Sequence, residues 1–173
     1  QDLPKFLNYV ETHREFLPKD PALIMTLDSQ ASIDLYPKLL VLAAQMGATV
    51  EEGELLSQRF AGETDFYTFH ITLDPTLHSE MRTSTLVHEL GHVCDVKSGF
   101  HRAFNSTNTE REIVAESITL LTLFDVKGIE STPYSIFYLL AIAPSGIRDY
   151  IYEQRAETIQ TCTAQFRGFL ALR

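Results

Sequence analysis

Thr85-Leu86-Val87-His88-Glu89-Leu90-Gly91-His92 (TLVHELGH) lies in a stretch, from about Leu77 to Lys97, that reads as helix until Gly99 stops it. Four residues along a helix turn the side chain through about 400°, so His88 and His92 stand on one face, a turn apart, where both imidazoles can reach a single zinc ion. Glu89 is too far round to be an equal third ligand, yet near enough to hydrogen-bond a water at an open coordination position. That makes Glu89 the natural general base. A lone buried histidine is ordinarily a hydrogen-bonded core residue, but two at this spacing with the glutamate between them argue for metal.

A third ligand is needed. A metzincin would continue with Gly three residues after the second His and His three beyond that, but those positions hold Asp95 and Ser98. The next helix, expected from about Glu110 to Lys127 and ended by Gly128, carries Glu112 and Glu116, the first of them twenty residues beyond His92. This resembles the gluzincin arrangement, in which a glutamate from a second helix completes the site and an acidic residue four positions later orients a histidine. Glu112 is then the ligand and Glu116 the orienting partner. Two alternatives stay open. Thr109, Glu110, Arg111 and Glu112 also spell a capping box, which needs no metal. Glu116, and after it His101 beyond the Gly99 break, are the substitutes for the ligand.

Outward from the HELGH helix, the 173-residue chain is long enough for one domain with a full core, and its 45% hydrophobic and 21% charged residues are those of a globular protein. Residues 2 to 17 place Leu3, Phe6, Leu7, Val10 and Phe16 at helical spacing, with Pro18 and Pro21 as stops. Two more helices are expected over Ala22–Leu27 and Pro37–Met46, with Gly47 ending the latter. Thr49 and Val50, before an acidic turn at Gly53, and the β-rich run Phe66–Leu73, closed by Asp74 and Pro75, predict a small sheet. The remainder is helical again, with breaks at Pro133 and near Pro144. The expected fold is α+β, mostly helical, with the sheet beside the HELGH helix. The whole of 1–173 forms a single domain, 1–55 being a helical amino-terminal part and 56–173 the core that carries the site.

Fourteen basic against twenty-three acidic residues give a net charge of −9, with no basic patch, which disfavours DNA binding. Cys94 and Cys162 are too few for a disulfide framework and fit a reducing, cytoplasmic compartment. No apolar stretch is long enough for a membrane span. Because residue 1 is Gln rather than Met, the expectation is a processed chain or a fragment of a longer one.

TLVHELGH, followed by Glu110–Ser117 (EREIVAES), Gly128 and Ser131–Tyr138 (STPYSIFY), resembles the zincin-like metallopeptidase domain of antirestriction proteins of the ArdC type and the related proteases of the ImmA and IrrE group. Upstream, Pro21–Leu27 (PALIMTL) and Met46–Glu54 are similar to the amino-terminal part of the ArdC type, where a helical single-strand-DNA-binding region precedes the protease. The resemblance covers most of the chain and is closest from Thr85 to Tyr138. It implies zinc held by His88, His92 and Glu112, with Glu89 catalytic. The chain departs from the family in lacking tryptophan, in a short connection to HELGH and in its acidity. These departures bear on nucleic-acid binding, for which Tyr36 or Phe60 would have to replace a tryptophan stacking platform.

The expected activity is zinc-dependent hydrolysis of a peptide bond in a protein or peptide substrate, with Tyr134, Tyr138, Tyr150 and His101 as candidates for stabilising the oxyanion. The rival readings are an ArdC-like antirestriction or DNA-associated interaction protein, its acidic surface mimicking phosphate, and an ImmA-like regulator that cleaves one repressor.

Overall fold

Among the described residues of the computed structural model, which are 3–12, 30–56, 61–99, 106–124, 126 and 132–172, the chain forms six helices and three strands. Helix α1 (Leu3–Thr12) turns Leu3, Leu7 and Val10 inward at the i, i+4, i+7 spacing that its sequence carries. Phe16, the stops at Pro18 and Pro21 and the helix expected over Ala22–Leu27 lie outside the described residues. Helix α2 (Gln30–Gln45) begins well before the expected start at Pro37 and runs through that proline. Pro37 has no N–H to donate to the Ile33 carbonyl, but Ile33 is half exposed, so water can take up the lost bond. Gly47, at φ +69°, ends α2 as expected.

Strands β1 (Thr49–Glu52), β2 (Gly62–Asp65) and β3 (His70–Leu73) form one sheet in the order β1-β3-β2. β1 runs parallel to β3, with Thr49 opposite His70, and β2 runs antiparallel to it, with Gly62 opposite Leu73. The run Phe66–Leu73 is therefore divided: its first half is the β2–β3 turn. Asp65 makes that turn, its Oδ1 accepting the N–H groups of Tyr67 at 2.7 Å and Thr68 at 3.2 Å. Gly62-Glu63-Thr64-Asp65 is a strand without an apolar residue, which sequence periodicity does not mark; none of its residues is fully buried, so it needs no apolar face.

Helix α3 (Ser79–Ser98), which carries HELGH, is the centre of the molecule. It packs against α2, β2, β3, α4 (Asn108–Leu123) and α6 (Ser145–Leu170), and Leu86, Val87, Leu90 and Val93 are fully buried. Helix α5 (Thr132–Ile142) packs on α4, and Pro144 separates it from α6 as expected. One contiguous core extends from Leu3 to Leu170, so the 1–55 part shares its interior with the rest. The closest approach is between α3 and α4. A Cβ on Gly91 would lie 3.2 Å from the Ala115 Cα and 3.3 Å from its carbonyl oxygen, so the two backbones meet directly, one residue before His92.

Helix α4 settles the capping question. Its N-cap is Thr107, whose side chain accepts the Glu110 N–H at 3.2 Å, so the capping pair lies two residues upstream of the expected one and Glu112 has no part in it. The described helix ends at Leu123; Lys127 and Gly128 lie outside the described residues.

Arg155 of α6, buried, pairs with buried Asp95 of α3 and reaches Glu110 of α4 at 2.9 Å and Ser106 at 3.1 Å. Arg148, also buried, reaches Glu11 of α1 at 2.7 Å and the Ala143 carbonyl at 2.6 Å. Cys94 and Cys162 form a disulfide between α3 and α6, which corrects the expectation of two thiols. They are 68 residues apart in sequence, and only the packing of the two helices brings their Cα atoms to 6.1 Å. A disulfide is uncommon in a reducing cytosol, so cysteine usage no longer argues for a cytoplasmic setting. No described helix is long and apolar enough to cross a membrane.

Two outcomes test this arrangement. Asp95→Ala leaves Arg155 buried without its main partner and should cost about 3–5 kcal/mol in urea unfolding; a loss below about 1 kcal/mol would contradict burial of the pair. Thiol titration of the unfolded, unreduced protein should find neither cysteine free, and reduction should cost about 2–4 kcal/mol of stability.

Candidate metal centre

Because α3 and α4 touch at Gly91 and Ala115, the side chains one turn to either side of the contact converge. His88 and His92 come from α3, Glu112 and Glu116 from α4. The two Nε2 atoms are 3.1 Å apart, and Glu112 offers Oε2 to His88 Nε2 at 3.3 Å and Oε1 to His92 Nε2 at 3.4 Å. His88, His92 and Glu112 could together hold a metal ion.

Glu116 stands behind this triangle. Its Oε2 accepts the Nδ1–H of His88 at 2.7 Å, which turns the Nε2 atom of that ring toward Glu112 and His92. The Glu116 carboxylate is thus engaged with the far nitrogen of His88, and Glu112 is the one in the cluster. Burial pulls the His88 imidazole toward its neutral form, but the hydrogen bonds and charges of Glu112 and Glu116 outweigh it and raise His88 well above the usual histidine value. Burial likewise pushes the Glu112 carboxyl up, and the two imidazoles hold it far below the usual carboxylate range. Imidazole and carboxylate thus each favour charge in the other.

Glu89 points to the other side, toward the sheet. Thr64 of β2 donates its hydroxyl to Glu89 Oε2 at 2.6 Å, and a Cβ on Gly62 would lie 3.1 Å from Glu89 Oε1. The carboxylate is therefore held between α3 and the edge strand, buried but bordering the cleft. That cleft, about 370 Å³, is lined by β2, α3, the first turns of α4 and two tyrosines of α5. Tyr138 donates its hydroxyl to Glu112 Oε2 at 3.0 Å and stacks on Tyr134 with ring centroids 6.2 Å apart. Burial, followed by the charges of Glu112 and Glu116, raises both phenols above their ordinary value.

Of the candidates read from the sequence, His88, Glu89, His92, Glu112 and Glu116 meet at one place, and Tyr134 and Tyr138 border it. Tyr150 does not; it is exposed on α6 and no part of the cleft wall. His101 and Phe60 lie outside the described residues. Sequence reading missed Thr64, which sits 25 residues before its partner in an unrecognised strand, and Arg111, whose adjacency to Glu112 was its only signal. The chain matches no protein-family model, no curated protein and no solved structure.

Metal titration separates the two glutamates. Glu112→Ala removes a direct donor and should abolish tight binding, as should His88→Ala. Glu116→Ala removes only the partner of His88 and should weaken binding by about 10- to 100-fold. The reverse order in a competition titration would give the ligand role to Glu116.

Proposed function

We propose that this chain is a zinc-dependent peptidase, hydrolysing peptide bonds in a protein or peptide substrate. The observation that carries the reading is the convergence of two imidazoles and one carboxylate on a single position. An ion with tetrahedral bonds of about 2.0–2.1 Å, as zinc makes to nitrogen and oxygen, has ligand atoms about 3.3–3.4 Å apart. Here the two Nε2 atoms are 3.1 Å apart, and Glu112 brings one carboxylate oxygen to 3.3 Å from His88 and the other to 3.4 Å from His92, so the three side chains close on one position at about that spacing. Two imidazoles and one carboxylate are also the donor set of hydrolytic zinc sites, whereas structural sites close all four positions, commonly with thiolates. Here both cysteines are engaged with each other, and the donors open onto a cleft.

A zinc ion held by His88, His92 and Glu112 would supply a water acidified to a pKa of about 7 and a Lewis-acid contact for the substrate carbonyl. Glu89, fixed by Thr64 and bordering the same cleft, would accept the proton of the attacking water and return it to the leaving nitrogen. Glu116 keeps His88 in the tautomer that presents Nε2. Tyr138, anchored on Glu112, orients that carboxylate and borders the space where a carbonyl oxygen would lie. The resemblance to the ArdC, ImmA and IrrE proteins supports the same assignment of ligands and base, and a zincin-like identity for the fold belongs to this proposal.

Glu89→Gln tests the reading, because Glu89 acts on water and is not among the donors. The variant should bind zinc as the parent does and lose about 10²- to 10⁴-fold in the rate of peptide hydrolysis. Loss of zinc in Glu89→Gln would overturn the division of roles, and full activity would remove Glu89 from the chemistry.

A further inference from the structure

Arg111 is a cationic side chain in the cleft wall with no carboxylate opposite it among the described residues. Its guanidinium lies over the Phe66 ring, 5.3 Å from the centroid, and Nη2 donates to Asn108 Oδ1. Phe66 in turn sets its edge against the His92 ring, with centroids 5.6 Å apart and the planes nearly perpendicular. Guanidinium, phenyl ring and metal-binding imidazole thus form one continuous wall.

Elsewhere in the molecule the arginines that approach carboxylates are paired: Arg82 with Glu52, Arg148 with Glu11, and Arg155 with Asp95 and Glu110. Arg111 has no carboxylate within 4.0 Å among the described residues. It also sits in the first turn of α4, where the helix dipole opposes a positive charge. The acidic groups of the same cleft are engaged: Glu112 and Glu116 with His88 and His92, Glu89 with Thr64, Glu63 with the Leu56 N–H. Stacking on Phe66 and the bond to Asn108 fix the fork but leave donors to spare, since a guanidinium carries five N–H groups. A half-buried, oriented and unpaired guanidinium is suited to a bidentate contact with a carboxylate.

The geometry points to a subsite for a substrate carboxylate at Arg111, within about three residues of the scissile bond, since the guanidinium lies 5.3 Å from the Phe66 centroid, that ring lies 5.6 Å from the His92 ring, and an extended chain advances about 3.5 Å per residue. The inference rests on the peptidase reading of the cleft and adds a substrate class to it. That carboxylate is either an acidic side chain or the free carboxyl end of the peptide.

Binding to the zinc-loaded Glu89→Gln chain tests this without turnover. The probes are an alanine peptide blocked at both ends with one central glutamate, its glutamine counterpart, and the all-alanine peptide with its carboxyl terminus free or amidated. At least one of the two acidic probes should bind about 10- to 100-fold more tightly than its neutral counterpart, and whichever it is identifies the source of the carboxylate. Raising the salt should narrow the gap. Arg111→Gln should bring the ratio close to one, and Arg111→Lys, keeping the charge without the fork, should retain part of it. Equal binding of acidic and neutral probes by the parent chain, or an acidic preference that survives in Arg111→Gln, would overturn the inference. Hydrolysis of a mixed synthetic peptide library by the unmutated chain separates this from the parent proposal. Acidic preference in binding with no hydrolysis of any peptide would overturn the peptidase reading and leave the subsite standing. Hydrolysis with cut sites indifferent to nearby Asp, Glu or a free carboxyl end would do the opposite.

Discussion

The direct contact of α3 and α4 at Gly91 and Ala115 is the constraint on which the rest of the site depends. Metal donors on two separate helices must converge to within a few tenths of an ångström, and side chains this short reach each other only if the backbones nearly touch. A Cβ at position 91 would sit 3.2–3.3 Å from the Ala115 backbone, which can yield only by moving the helix that carries Glu112. The glycine between the two histidines is therefore a packing residue that lets Glu112, twenty-one positions away, reach both imidazoles. The Arg155 cluster holds the same two helices at the other side of the contact, and the disulfide fixes α3 to α6 two residues after His92.

Each side chain of the site is held a second time from elsewhere. Glu116 holds His88, Tyr138 holds Glu112, Thr64 holds Glu89 and Phe66 abuts His92, so α4, α5, β2 and the β2–β3 turn all bear on the α3 residues or their partner. Contacts of this kind fix the direction of each side chain from outside the helix that carries it.

What the sequence made legible was whatever depends on one helix at a time. The i, i+4 histidines, the carboxylate four residues before its partner, the Gly47 stop and the Pro144 break are all local, and each stands where the spacing placed it. What it hid depends on tertiary neighbours. Thr64 reads as an ordinary loop threonine until β2 is seen to pair with β3. The α4 cap falls on Thr107 rather than Thr109, and Glu110, the third residue of the helix, turns its side chain to Arg155 of a distant helix. Pro37 looks like a helix start because propensity says so, and the packing of Leu35, Leu39 and Leu42 on one face overrides it. The two cysteines give no sign of pairing, since nothing in a 68-residue separation indicates that α3 and α6 will lie side by side.

Among the described residues the order β1-β3-β2 leaves both outer strands with an open ladder, and an open ladder is a template for strands of other molecules. In this sheet each outer strand carries two acidic residues among its four, Glu51 and Glu52 on one margin and Glu63 and Asp65 on the other. Two copies approaching margin to margin would set carboxylate against carboxylate before any backbone bond could form, and like charges placed directly opposite destabilise such a pairing. Part of the charge of −9 is thereby concentrated where self-association through the sheet would begin. The polarity that concealed Gly62–Asp65 as a strand is the same property that discourages it from recruiting another.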